Sequence, residues 1–136
     1  MFLASLLLAT TLSIPDINCN VELKEGCSQK IVDSECAAIY NSSVYGINDN
    51  IIVADHRTQE FKNLKNVEVG TTAYIVNEWD DIIELECIEV CEGKLDSIGY
   101  ILVDGEYMEN RYDDVYIFYT CKKEKGKRVV TYWKEK

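Results

Sequence analysis

The chain reads as all-β, a barrel or a sandwich, on three observations. Its apolar residues fall into about seven runs of strand length, turn-forming clusters separate those runs, and no repeat of 20 to 50 residues suggests a solenoid or propeller. Ala37 to Tyr40 is a short strand ended by the Asn41-Ser42-Ser43 turn. Asn48-Asp49-Asn50 is a second turn, and Ile51 to His56 follows as a buried strand. Phe61 and Leu64, three apart within Thr58 to Asn66, suit one short helical segment. Val69-Gly70 turns the chain into Thr71 to Val76, which alternates as a strand. Asp80-Asp81 then leads into a long strand, Ile82 to Cys91. Tyr100 to Val103 ends at the Asp104-Gly105 turn, and Val115 to Cys121 joins Lys127 to Trp133 through the loop Lys122 to Gly126, as a hairpin.

A length of 136 residues supports one hydrophobic core, and one proline with seven glycines is the usage of a folded chain. The formal net charge of −10 repels phosphates, so nucleic acid is not an expected partner. Residues 1–15 hold an apolar stretch, Met1 to Leu12, that breaks at Pro15-Asp16. At roughly a dozen residues it is shorter than the about 20 that span a bilayer. It reads as a signal peptide with small residues, Ala9 to Ser13, near a cleavage point. A short apolar N-terminal segment, buried as a helix or belonging to a membrane anchor, is the other reading. Residues 16–35 lack periodicity and read as an irregular cysteine-containing arm, which leaves 36–136 as the barrel domain.

Six cysteines agree with export, because disulfides persist outside the cytosol. Cys19, Cys27, Cys36, Cys87 and Cys91 are the candidates for pairing, with the partners undetermined. Cys87 and Cys91 lie on one predicted strand, on the same face and about 13 Å apart, beyond direct bridging unless the strand bends. Their spacing and the single histidine do not suit a zinc site, and no calcium-binding loop is present, so neither metal nor organic cofactor is expected.

The candidate chemistry lies at the ends of three apolar runs. His56, the sole histidine, closes Ile51-Ile52-Val53-Ala54-Asp55-His56. Cys121 closes Val115-Tyr116-Ile117-Phe118-Tyr119-Thr120-Cys121, and Arg128 opens Arg128-Val129-Val130-Thr131-Tyr132-Trp133. Thiol, imidazole and guanidinium are the parts of cysteine acyl transfer: nucleophile, proton shuttle and oxyanion stabiliser. The hairpin brings Cys121 and Arg128 near each other across the ladder. Asp55 and Thr120 flank the set as secondary candidates.

These segments, in this order, resemble the sortase family of cysteine transpeptidases. Ile52-Val53-Ala54-Asp55-His56 is similar to the strand end carrying the sortase histidine. Phe61-Lys62-Asn63-Leu64 with Val69-Gly70-Thr71-Thr72-Ala73-Tyr74-Ile75 is similar to the passage that follows it. Ile117-Phe118-Tyr119-Thr120-Cys121 is similar to the threonine–cysteine strand end, and Arg128 falls where the family keeps its arginine. The resemblance covers Ala37 to Trp133, and His56 and Cys121 are 65 positions apart, an interval of family size. Asp55 departs from the small residue usual before the histidine. The resemblance implies a closed sortase-like β-barrel with one short helical segment. It also implies a peptide or protein substrate with a sorting-type motif, an amine acceptor, a monomer, and a secreted or cell-surface location. Cys121 then forms the thioester, His56 moves the protons and Arg128 holds the oxyanion.

Two other readings stand beside this one. A disulfide-stapled secreted β-barrel without catalysis would be a binding module, with Cys121 in a bridge. A cysteine hydrolase would differ from the transpeptidase only in releasing the acyl group to water. Tyr112, Tyr116 and Tyr119 are expected to pack on alternate faces of the barrel, rather than to form a glycan-binding surface.

Overall fold

The computed structural model describes residues 10–26, 36–45, 48–57, 59–77 and 79–136. Among them are ten strands: β1 (Thr10–Ile14), β2 (Cys19–Glu25), β3 (Ala37–Asn41), β4 (Ile51–Ala54), β5 (Thr72–Val76), β6 (Ile82–Leu95), β7 (Ile101–Val103), β8 (Glu106–Tyr107), β9 (Tyr116–Cys121) and β10 (Lys127–Glu135). Their hydrogen-bonded order is β10-β9-β4-β3-β2-β1-β5-β6, and β6 pairs back onto β10, so eight strands close a barrel. Full closure removes exposed edges. β7 and β8 extend from the end of β6, and Asp104 and Gly105 turn between them with φ of 52° and 83°. Positive φ at both central residues is what the tightest hairpin turn demands. The β2–β3 and β4–β9 pairs are parallel and the remaining pairs antiparallel.

Two hydrophobic clusters follow from strand alternation. The barrel interior holds Leu12, Ile14, Val21, Leu23, Ile39, Val53, Ile75, Leu85, Phe118 and Trp133. Trp133 and Phe118 sit 5.1 Å apart between ring centroids, and Phe61 lies 6.2 Å from Phe118. Phe61 and Leu64 come from the 3-10 helical segment Glu60–Asn66, are fully buried, and close one mouth of the barrel. Burying one such side chain contributes roughly 1.5–3 kcal/mol. The second cluster lies outside the barrel wall. Ile52, Ile117, Val130 and Tyr132 face out from β4, β9 and β10 and are roofed by Val103, Met108 and Val115. That roof explains why β4 is apolar at every position. Tyr116 packs inside while Tyr112 and Tyr119 join the outer cluster, the alternate-face packing expected of the tyrosines.

Three sequence expectations need correction. Residues 16–35 are not an irregular arm throughout: Cys19, Val21 and Leu23 alternate inward along β2 while Asn20, Glu22 and Lys24 face solvent. Thr10–Ile14, read as the end of a leader, is β1 and is paired on both sides by β2 and β5. Leu12 and Ile14 point into the core, so the barrel includes Thr10–Ile14 and is not confined to residues 36–136. Residues 1–9, the bulk of the proposed signal peptide, lie outside the described residues.

The third correction concerns the cysteines. Cys19, Cys36, Cys87, Cys91 and Cys121 are all free thiols, and Cys27 lies outside the described residues. Cys87 and Cys91 do not share a face. Opposite β10 the register shifts between Tyr132 and Trp133, which pair with Glu89 and Cys87, leaving Ile88 as an extra residue. This bulge inverts the alternation, so Cys87 enters the barrel interior and Cys91 joins the outer cluster.

Candidate active site

Cys121 and Arg128 meet at the end of the barrel where β9 finishes and β10 begins, and β4 runs towards the same end. Cys121, the last residue of β9, is the direct register partner of Arg128 on β10. Arg128 also faces Gly93 on β6, where a Cβ would lie 2.7 Å from Ile101 Cγ2 and 3.0 Å from Val130 Cγ2. Glycine at this position lets β7 pack close beside Arg128. On the other flank β4 runs parallel to β9, with Ala54 opposite Tyr119. The strand ends there, earlier than the predicted Ile51–His56 run. His56 stands two residues past Ala54, as Cys121 stands two past Tyr119, and it is half-buried. Parallel pairing is what lets both strands deliver their last residues to one end of the barrel.

Asp55 and Thr120 tie these ends from inside. Thr120 Oγ1 donates to the Asp55 carbonyl at 2.6 Å, and both residues are buried. The Asp55 carboxylate accepts the backbone N–H of His56 at 2.8 Å. Burial pushes the Asp55 carboxyl up to about 6, partly offset by that amide and by the His56 charge. Asp55 therefore orients the backbone that carries His56. Gln59 N–H returns to the His56 carbonyl, starting the turn into the Glu60–Asn66 segment.

Cys121 and Cys91 are part-exposed, whereas Cys19, Cys36 and Cys87 are buried. Desolvation, followed by the charges of Glu60 and Asp55, pushes Cys19 up to about 12. Burial raises Cys87 and Cys91 to about 11 each, and Cys36 is buried. The Cys19, Cys87 and Cys91 thiols are therefore protonated and inert at neutral pH. Cys121 is part-exposed and lines a cleft of about 380 Å³ with Arg57, Phe61, Lys62, Lys65, Thr120, Lys122, Lys123, Glu124 and Val129. Neither His56 nor Arg128 is among the residues that line this cleft. Among the described residues no group of three or more His, Cys, Asp or Glu side chains is placed to hold a metal ion.

Two features of the site region went unread in the sequence. Asn50, read as a turn residue, is fully buried at the start of β4. Its Nδ2 donates to the carbonyls of Glu109 and Tyr112 at 2.8 and 2.9 Å, and its Oδ1 accepts Val115 N–H at 3.0 Å. Arg111 forks onto Glu89 with two bonds of 2.7 Å, and Tyr112 Oη donates to the same carboxylate at 2.8 Å. Tyr132 Oη adds a bond to the Met108 carbonyl. Together they clamp the 104–115 segment over the outer face of β4, β9 and β10. The sequence signal was slight: an asparagine opening an apolar run, and an arginine isolated among acids.

No family model and no curated protein matches the sequence. Solved structures do resemble the fold. Sortase E1 from Streptomyces coelicolor, crystallised with a tripeptide in its active site, superposes with a TM-score of 0.73 at 17% identity, over 94% of this chain and 87% of that one. Streptococcus agalactiae sortase C1, in complex with MTSET, gives 0.69 at 20% identity over 93% and 68%. A lid mutant of sortase A from Corynebacterium diphtheriae gives 0.68 at 13% identity over 95% and 70%. At these identities the likeness is one of backbone architecture, and the chain has the sortase fold.

Proposed function

We propose that the protein is a sortase-like cysteine transpeptidase with Cys121 as nucleophile. The observation that carries this reading is the position of Cys121 on a sortase-fold barrel, opposite Arg128 in the β9–β10 ladder and beside the strand end bearing His56. The Cys121 thiolate attacks the scissile carbonyl of a bound peptide, and the guanidinium of Arg128 stabilises the oxyanion. Collapse breaks the carbon–nitrogen bond, His56 protonates the leaving amine, and a thioester remains on Cys121. An incoming amine, deprotonated by neutral His56, attacks the thioester, forms the new amide and releases the thiol. Water in place of the amine gives hydrolysis. On this reading a monomer meets its substrate and acceptor outside the cytoplasm. No helix among the described residues is long and apolar enough to cross a membrane.

The test is mass-resolved alkylation of the unreduced protein across about pH 5 to 9, followed by incubation with a peptide library and an amine acceptor. Fast labelling at Cys121 that slows in His56→Ala, with an acyl adduct on Cys121 that hydroxylamine removes, is the expected result. Labelling at Cys121 no faster than that of a short unstructured cysteine peptide, with no adduct, would defeat the reading.

A further inference from the structure

The cleft beside Cys121 has a charge opposite to that of the chain as a whole. The chain carries 24 acidic and 14 basic side chains. The cleft takes Arg57, Lys62, Lys65, Lys122 and Lys123 from the basic set and Glu124 alone from the acidic set. These cations come from three separate stretches that the fold gathers: the turn after His56, the Glu60–Asn66 segment, and the loop joining β9 to β10. Lys62 and Lys65 stand three apart on a 3-10 segment, where a three-residue turn stacks them on one side. Lys122 is engaged by Glu92 at 2.9 Å, whereas Arg57, Lys62, Lys65 and Lys123 are exposed. Phe61 and Val129 supply an apolar floor, and Cys121 is among the lining residues.

We propose that this cleft binds an acidic peptide segment, so that the substrates of the site carry two or more carboxylates beside the reacting bond. The substrate class rests on Cys121 being the nucleophile; the binding of acidic peptide does not. The cations are spread along a cleft with an apolar floor, which suits an extended chain with several carboxylates. A single phosphate is better served by donors converging on one point, such as a forked arginine pair or a run of backbone amides. A cleft of one sign in a chain of the other also draws in acidic peptide and rejects basic peptide.

The test uses the full chain and reads protection of the thiol, not turnover. Cys121 is labelled with neutral methyl methanethiosulfonate, at matched ionic strength, with tetraglutamate, tetraglutamine or inorganic pyrophosphate present. Tetraglutamate is expected to slow labelling by about five-fold or more, and tetraglutamine by less than about two-fold. The difference should vanish in Lys62→Glu/Lys65→Glu, in Lys123→Glu as a second variant on another element, and at about 0.5 M salt. Equal effects of the two peptides would overturn the proposal. So would protection by pyrophosphate without protection by tetraglutamate, which would assign the cleft to phosphate. Because protection needs no thioester, a chain that binds tetraglutamate but never forms an acyl adduct would refute the transpeptidase reading alone.

Discussion

Cys121 and Arg128 are direct partners across the β9–β10 ladder, and Gly93 on β6 flanks Arg128 from the other side. Backbone register thus fixes the two Cα positions, while the Arg128 guanidinium donates to the Lys127 carbonyl at 2.9 Å. If Arg128 holds the oxyanion, Arg128→Ala should slow acyl-adduct formation at Cys121 by about 10²–10³-fold. Arg128→Lys should recover little, since an ammonium lacks the planar fork. Single-turnover mass spectrometry of the acyl adduct checks both variants, with alkylation rates as the control for access to the thiol.

Asp55 should make the folded state less stable as pH rises. Its carboxyl is raised to about 6, above the usual carboxylate value, so the folded chain binds a proton more tightly than the unfolded chain. The resulting penalty is absent below the unfolded pKa, grows between about 4 and 6, and stays constant above, at roughly 2–3 kcal/mol. Asp55→Asn removes the charge and retains an acceptor for the His56 amide. It should exceed the parent in stability at pH 8, with the gap closing towards about pH 4. Urea unfolding of both proteins through that range measures it.

Asn50→Ala should be among the most damaging polar substitutions. It deletes the donors to Glu109 and Tyr112 and the acceptor for Val115 N–H, all at a fully buried site. Each orphaned buried group costs about 1–3 kcal/mol, and the losses overlap. A total of roughly 3 kcal/mol in urea unfolding is expected, with faster hydrogen exchange at Val115. A loss of under about 0.5 kcal/mol would mean that the roof does not depend on Asn50.

Glu89 anchors the same roof from β6. Its bonds from Arg111, and then from Tyr112, hold its carboxyl below the usual range. Because the folded pKa is depressed, the stabilisation is complete above the unfolded glutamate pKa and is lost as pH falls through the folded one. Glu89→Gln should cost about 1.5–3 kcal/mol at neutral pH, as expected for hydrogen bonds to a charged group. The difference from the parent should shrink in acid. Exchange of the amides from Asp104 to Tyr112 reports whether the segment lifts.

Gly93→Ala tests the close approach of β7 to the wall. The added methyl would meet Ile101 at 2.7 Å and Val130 at 3.0 Å, distances that demand a shift of both side chains. Overpacking of this kind costs about 1–3 kcal/mol. The expected signature is a lower thermal midpoint with altered alkylation at Cys121, since Arg128 borders the same position.

What could be read from the sequence was what neighbouring residues encode. The β9–β10 hairpin was legible because its two apolar runs bracket a Lys/Gly loop, and that hairpin alone placed Arg128 against Cys121. β4 was legible as a buried strand, though its cover on the outer face was not. β1 and β2 were missed because Leu6 to Leu12 resembled a leader and the cysteines of the next segment suggested staples, which hid the clean alternation from Cys19 to Lys24. The bulge at Ile88 has no glycine or proline to mark it, so Cys91 was put on the wrong face. Asn50 and Glu89 bond to partners far along the chain, and no local pattern announces such partners. The basic cleft left no signal along the chain, because Arg57, Lys62 and Lys65 join Lys122 and Lys123 in space and not in sequence.

The parallel pairing of β4 with β9 has a consequence for how the protein is made. His56 and Cys121 lie at matching ends of two strands that run the same way, so the chain between them must travel round the barrel before the second strand can dock. That is long-range, slow topology. β9 and β10 emerge after the eight other strands described. His56 is therefore made before Cys121, and the ends of β4 and β9 meet only as the barrel shuts. On the transpeptidase reading proposed above, a chain cut before β9 lacks its nucleophile, and activity requires the closed barrel.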